Sequence, residues 1–353
     1  MPVDRSPRER RSRDISVFRN QHSKPVSGVF PTIYSTLSVE ALVSQVLSQY
    51  AIAPVVSCCF WHRGLSDVYL VKTEKRPYIL RVSHHHWRSA ADIYFELNLL
   101  DFFRQQGLPV AHPLQTTDNQ IAVTIDAPEG QRYAALFVYA DGEVPLGDLD
   151  VAQSRQLGEI LAKLHCASLS FQTPFRRDDL CEEYLFDRSF ETISPFLQHR
   201  PRDLDYLNEA IAHSKSCLQA LPKTEPYWVV CWGDPHSGNA HFTPDGGVTL
   251  FDFDQCGYGW RAFDLAKFLH IALRTGISRG IRNGFLEGYQ SVSPLAEKEV
   301  EMLQPLTQAA HFWSWAIALT NAAFHNYSRL DDSYFTQRLE QLKLLRSHDW
   351  QLF

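Results

Sequence analysis

The stretch that most confines this chain is CWGDPHSGNAHF, residues 231–242, followed closely by LFDFDQ, residues 250–255. Asn239 comes five residues after Asp234, and Asp252 thirteen after Asn239, with β-like runs (YWVVCW, AHF, VTLFDF) on both sides. Two carboxylates and an amide at that spacing do not suit a plain core segment, because buried polar groups need partners. Gly233 is free to take backbone angles that other residues avoid, so a turn there is expected to expose Asp234 at a strand end. The VTLFDF strand is then expected to carry Asp252 back beside Asn239, in a small hairpin set inside a mainly helical half of the chain.

The rest of the pattern fits that frame. From STLSVEALVSQVLSQY a helix is predicted, with Ser38 as N-cap and Leu42, Val43, Val46 and Leu47 on one face. Three β-like runs follow (VVSCCFWH, DVYLVKT, YILRVS), with Gly64 in the turn between the first two. AADIYFELNLLDFFRQQG reads as an amphipathic helix with Ile93, Leu97, Leu100 and Phe103 in one stripe and Gly107 at its end. IAVTID and AALFVYA are two more strands. After DGEVP the periodicity becomes helical, over VAQSRQLGEILAKLHCASL, most of 203–220 and most of 262–345. The expected fold class is α+β in two lobes. An antiparallel sheet with one helix spans 29–140, and a mainly helical lobe spans 141–353. Residues 1–28, with Arg5, Arg8, Arg10, Arg11 and Arg13 against Asp4, Glu9 and Asp14, read as a disordered, solvated basic arm.

The 353 residues are 44% hydrophobic, enough for a large core, and the formal net charge of −6 argues for neither nucleic acid nor a membrane surface as partner. Apolar runs such as FWSWAIAL are too short to span a bilayer, and no charged segment precedes an apolar one at the N-terminus, so no secretory signal is visible. The seven cysteines are scattered without a C-x-x-C pair and read as reduced thiols of a cytoplasmic protein.

Chemically, a carboxylate displayed at a strand end orients an attacking hydroxyl and accepts its proton, which suits Asp234. Asn239 and Asp252 offer the hard oxygen ligands that magnesium prefers. Base, amide and metal-binding carboxylate in that order are the parts of a phosphoryl-transfer site. WGDPHSGNAHF…TLFDFDQ resembles the aminoglycoside phosphotransferase and choline kinase family, with homoserine-kinase-like relatives, whose pattern is H-G-D-x-H-x-x-N followed by a D-F-D/E strand. That resemblance implies a protein-kinase-like fold and use of ATP with magnesium. It implies Asp234 as catalytic base, Asn239 and Asp252 as metal ligands, His236 as a loop organiser and Asp264, in RAFDLAKF, as a buried structural carboxylate. Upstream, YILRV and IYFELNLL resemble the strand and helix that supply a phosphate-contacting cation and its glutamate, here Arg81 and Glu96. RGLSDVYLV resembles a shortened nucleotide loop, with Gly64 and Ser66 on the nucleotide. LGEILAKLH resembles the family's long second-lobe helix. Trp232 stands where the family usually has His, and Arg81 where protein kinases have Lys. Arg grips two phosphate oxygens and stays charged.

The expected reaction is ATP-dependent phosphorylation of a small hydroxyl compound, of the homoserine, choline or ethanolamine, hydroxylysine, sugar or aminoglycoside class. A stress-response-type Ser/Thr protein kinase and a non-catalytic nucleotide-binding module are the alternatives. The oligomeric state is not legible. Candidate acceptor walls are residues 175–187 and 311–327. Asp178, Asp179, Glu182 and Glu183 read either as a site for an ammonium or amino sugar or as a solvated acidic face. Trp313, Trp315 and Phe324 read as core packing before they read as a cage for a cation. His84, His85 and His86 alternate faces if they share one strand, so they do not converge on a metal.

Overall fold

Strand alternation builds the first part of the molecule. In the computed structural model, β1 (Val55–Arg63), β2 (Ser66–Thr73), β3 (Pro77–Ser83), β4 (Val123–Ala127) and β5 (Gly130–Val138) form one sheet in the order β1-β2-β3-β5-β4, with every neighbouring pair antiparallel. The structure describes residues 30–145, 149–325 and 330–352, so the expected basic arm lies outside the described residues. Met1–Pro31 and Thr32–Phe353 are separate units, and every named element belongs to the second.

The period of two gives the sheet two different faces. Tyr78, Leu80 and Val82 of β3 enter a small core beneath a short helical segment. That segment is α1 (Val39–Ala41), continued by helical turns over Leu42–Val46 and Leu47–Gln49, and the Ser38 side chain caps it by accepting from Ala41 N. Ile79 and Arg81 of β3 point the other way, towards α2 (Ala90–Gln105). A capping box starts α2, with Ser89 and Asp92 each bonding the other's backbone N–H. Its buried stripe includes Ile93, Leu97, Leu100 and Phe103, and Glu96 occupies a place within that stripe.

Beyond the sheet, α3 (Val151–Ser168), α4 (Arg188–Ile193), α5 (Pro201–Leu218), α6 (Arg261–Thr275), α7 (Arg279–Val292), α8 (Glu297–Glu301), α9 (Leu303–His325) and α10 (Asp332–Arg346) make the helical part. α3 and α7 pack closely because α7 presents glycine: a Cβ at Gly288 would meet the Arg155 carbonyl oxygen at 1.9 Å. The large core is continuous from Phe95 and Phe103 of α2 to Trp315 of α9.

Two small sheets sit in this helical part where one hairpin was expected. β7 (Ala240–Phe242) does pair with β8 (Val248–Leu250), but β6 (Trp228–Cys231) pairs with β9 (Gly257–Trp260) instead. The reason is the loop between β8 and β9, which turns the chain back along β6. The segment after α2 clamps the hairpin to the sheet: Ala111 N donates to Leu250 O at 2.8 Å, and Leu250 N to Pro109 O at 2.8 Å. Among the described residues, no helix is long and apolar enough to cross a membrane.

Candidate active site

A cleft of ≈ 450 Å³ lies between the sheet and the β7–β8 hairpin, and Gly64, Ser66, Arg81, Glu96, Asn239 and Asp252 all line it. Arg81 reaches it from β3 because it shares the face of Ile79. Its Nη2 donates to Glu96 Oε2 at 2.7 Å, and its guanidinium lies 4.8 Å from the centre of the Phe137 ring. The other carboxylate oxygen of Glu96, Oε1, is buried without a hydrogen-bond partner. Ser66 opens β2 and faces the cleft, so the next residue, Asp67, turns to the opposite face. There Asp67 accepts from Arg132 at 2.8 Å, Arg63 at 3.0 Å and Tyr34 at 2.5 Å. It is a structural carboxylate rather than part of the nucleotide loop.

Asp234 stands at the end of the turn the sequence predicts. Gly233 has φ +87°, and a Cβ there would lie 2.0 Å from the Gln255 carbonyl oxygen, so only glycine fits. Asp264 fastens this turn from α6: its carboxylate accepts from Trp232 N at 2.7 Å and from Gly233 N at 2.8 Å. His165, at the end of the LGEILAKLH helix, supports Asp264 at 2.9 Å and bonds Tyr289 through its other ring nitrogen. Around Asp234 stand Gln255 Nε2 at 3.0 Å, Lys267 Nζ at 3.5 Å and His236 Nε2 at 3.6 Å. Burial would raise the Asp234 pKa, but Lys267 and His236 outweigh it and hold the carboxyl down at about 2. His236 organises the loop as well, its Nδ1 accepting from Gly238 N at 3.0 Å.

Asn239 and Asp252 meet because Phe251 N donates to Asn239 O at 3.0 Å. The Asn239 amide donates to the Asp234 carbonyl at 3.1 Å. Asp252 does not sit on the strand as expected. β8 ends at Leu250, and Asp252 takes a left-handed φ of +59° in the loop. The indole Nε1 of Trp232 donates to the Asp252 carbonyl at 3.0 Å. The protein packed around it, and then the Asp254 carboxylate, raise the Asp252 pKa to about 7.

Sequence reasoning missed four neighbours of this centre. Asp254 lines the same cleft and accepts from Trp87 Nε1 at 2.7 Å and from Arg88 at 3.2 Å. Lys267 is buried on α6, three residues after Asp264, and also donates to Ser314 Oγ at 2.9 Å. Gln255 bonds Asp234, and Arg274 lies further along α6. The available signal was the spacing Asp264, Lys267, Ile271, Arg274, which is one helical stripe.

A second cleft, of ≈ 560 Å³, opens on the Asp234 side, and Gly64, Leu65 and Gly238 line both clefts. The expected wall at 311–327 does line it, but through Ser314, Ile317, Ala318 and Asn321 rather than through aromatic rings. Trp313 and Trp315 are core residues, and Phe324 stacks on His86 at 3.5 Å. The expected wall at 175–187 contributes none of its acidic residues. Asp178 and Glu183 pair with Arg188, and Glu182 with Lys223. The three consecutive histidines occupy a turn after β3: His84 lies on Asp67 with its ring 5.4 Å from that of His86, which stacks on Phe324, while His85 turns away to the Gln131 carbonyl.

The profile of the phosphotransferase enzyme family matches residues 60–302. Uncharacterized protein sll1119 of Synechocystis sp. is 51% identical over 324 residues, 92% of this chain and 90% of that protein. The homoserine kinase of Rhizobium etli is 27% identical over 276 residues, 75% of this chain and 80% of that protein. Among solved structures, amicoumacin kinase hAmiN in complex with AMP-PNP, Ca2+ and Ami superposes with a TM-score of 0.73 at 20% identity, covering 86% of this chain and 92% of that one, a likeness that shows the shared fold. With a family match over well more than half of its length, laid across the sheet, the Asp234 turn and the Asp252 loop, this chain belongs to the phosphotransferase enzyme family and is a phosphotransferase.

Proposed function

We propose that this enzyme transfers the γ-phosphoryl group of ATP to the hydroxyl of a small molecule. The observation that carries the reading is the Asp234 carboxylate, flanked by Lys267 and His236 and lining one cleft at its junction with a second that holds Arg81, Glu96, Asn239 and Asp252. Relatives named for homoserine and amicoumacin support a small acceptor.

ATP fits the first cleft. Its apolar lining, including Ile79 and Phe137, suits the purine, and Arg81 meets phosphate oxygens while Glu96 fixes its guanidinium. Magnesium fits the donor set on the floor. Asn239 spends its amide N–H on a carbonyl, leaving Oδ1 without a protein partner among the described residues, and the Asp252 carboxylate has no hydrogen-bond donor there either. Both are hard oxygens, and the burial and the Asp254 repulsion that raise Asp252 are what a bound cation would offset. Bound there, the metal would neutralise charge on the phosphates.

Asp234 aligns the acceptor hydroxyl through its accepting oxygens. The acceptor oxygen bonds to the γ-phosphorus, the bond from that phosphorus to the bridging oxygen breaks, ADP leaves, and the hydroxyl proton passes to Asp234. A carboxylate with a pKa of about 2 is a weak base, so it takes the proton late, once bonding to phosphorus has made the hydroxyl acidic. Asp234→Asn is expected to lower acceptor-dependent ADP release about a thousandfold. Circular dichroism would verify the fold of the variant. Turnover within tenfold of wild type would remove Asp234 from this role.

A further inference from the structure

The second cleft has an unusual charge balance. Asp234 is its one acidic side chain among the described residues, and Lys267 already faces it at 3.5 Å. Arg274 also lines this cleft, is exposed, and has no ion pair or hydrogen bond among the described residues. It does not line the nucleotide cleft, and neither does Lys267. The stripe along α6 therefore runs from Asp264, which fastens the Asp234 turn, through Lys267 beside that carboxylate and apolar Ile271, to an unmatched cation.

The features a cationic acceptor needs are missing from the same walls. Among the described residues no Phe, Tyr or Trp lines the cleft, its one imidazole, His236, lies beside Asp234, and the acidic residues at 178, 182 and 183 are spent on Arg188 and Lys223. Ile271, Ile277, Ile317 and Ala318 supply an apolar side suited to a short carbon skeleton.

We propose that the acceptor is an alcohol that carries an anionic group, a carboxylate or a phosphate monoester, and that Arg274 receives this anion while the hydroxyl meets Asp234. The inference rests on the phosphotransferase reading of Asp234 given above. Arginine suits the task because its planar fork donates two parallel hydrogen bonds to either anion. Lys267, with its Nζ 3.5 Å from the Asp234 carboxylate, adds to the positive field that draws the anion in. The transfer is the one already written, from ATP to the acceptor oxygen with the proton going to Asp234.

The test uses the full chain with magnesium and ATP, measuring ADP release and the phosphorylated product. The acceptors are primary alcohols of three to six carbons whose far end is a carboxylate, a phosphate monoester, an ammonium or a methyl group. At matched length, kcat/KM for an anionic end should exceed that for ammonium and methyl ends by about tenfold or more. Arg274→Gln should remove most of that preference through the acceptor KM. The carboxylate and phosphate arms identify which anion is read. Preference for ammonium ends, no stimulation by any anionic alcohol, or an Arg274→Gln effect that falls on the KM for ATP or on all acceptors equally would each overturn the inference. Asp234→Asn, run alongside, separates the two levels. If ATP turnover still depends on Asp234, the phosphotransferase reading stands without the anion; if it does not, both fall.

Discussion

Trp232 holds a strained neighbour in place. Asp252 holds a left-handed backbone angle, which costs a non-glycine residue about 1–2 kcal/mol. Two contacts from Trp232 keep it there: the indole N–H on the Asp252 carbonyl, and the ring stacked on Phe253 with centroids 5.2 Å apart. Trp232→Phe keeps the stack and removes the donor. We expect kcat/KM with ATP to fall about tenfold and the magnesium concentration for half-maximal rate to rise, because one net hydrogen bond of about 1 kcal/mol no longer fixes the Asp252 loop. A magnesium titration of both proteins checks this. An unaltered metal requirement would reduce Trp232 to core packing. At this scale the sequence was most readable where spacing carried the information. Asp234, Asn239, Asp252, Arg81 and Glu96 all reach the two clefts. The structural role of Asp67 was not legible, because a one-residue step along a strand reverses the face and nothing local marks which of Ser66 and Asp67 points inward.

The helix pair α6–α9 shows what periodicity alone conceals. Helical character was expected over most of 262–345, but not that His270 and His311 meet across α6 and α9 at 3.2 Å. Burial, and then Arg338, push His311 down to about 3, and burial with His311 alongside lowers His270 well below the usual range. In the unfolded chain both titrate near pH 6.5, so below that pH the unfolded state binds more protons and stability falls with falling pH. For His311 alone the loss between pH 6.5 and pH 5 is about 2 kcal/mol. Asp252 acts in the opposite sense: its pKa of about 7 lies above that of an unfolded aspartate, so the folded state takes the proton first and gains stability as pH drops from 7 towards 4. The wild-type curve mixes both terms, and comparison with His311→Gln isolates the histidine. The variant should have a lower Tm at pH 7, having lost the bond to the Arg338 carbonyl, but its further fall to pH 5 should be about 3 °C smaller than wild type. Parallel Tm-against-pH curves would show that His311 is not held neutral.

Across the whole molecule, the sheet and the helical part are joined where sequence gave least warning. The α+β division was legible because the apolar period changes from two to 3.6 near residue 140. The contacts that Trp87 and Arg88 make across that division reach a residue more than 160 positions away, which no local pattern reports. Trp87 and Arg88, in the turn after β3, both reach Asp254, while Arg177 donates to the Asp254 carbonyl from the other side. Arg88 and Asp254 are 8% and 9% exposed, and Arg88 is the leading cation compensating Asp254, ahead of Arg177 and Arg81. Removing one partner leaves a buried charge uncompensated, and Arg88→Met or Asp254→Asn alone should cost about 3–5 kcal/mol. Removing both takes away the two desolvation penalties together. The double variant should then be less destabilised than the sum of the singles by about 2 kcal/mol, measured by urea unfolding of all four proteins. Strict additivity would mean that the sheet is held to the helical part by the apolar core and the Pro109–Ala111 clamp, with Arg88 and Asp254 contributing independently.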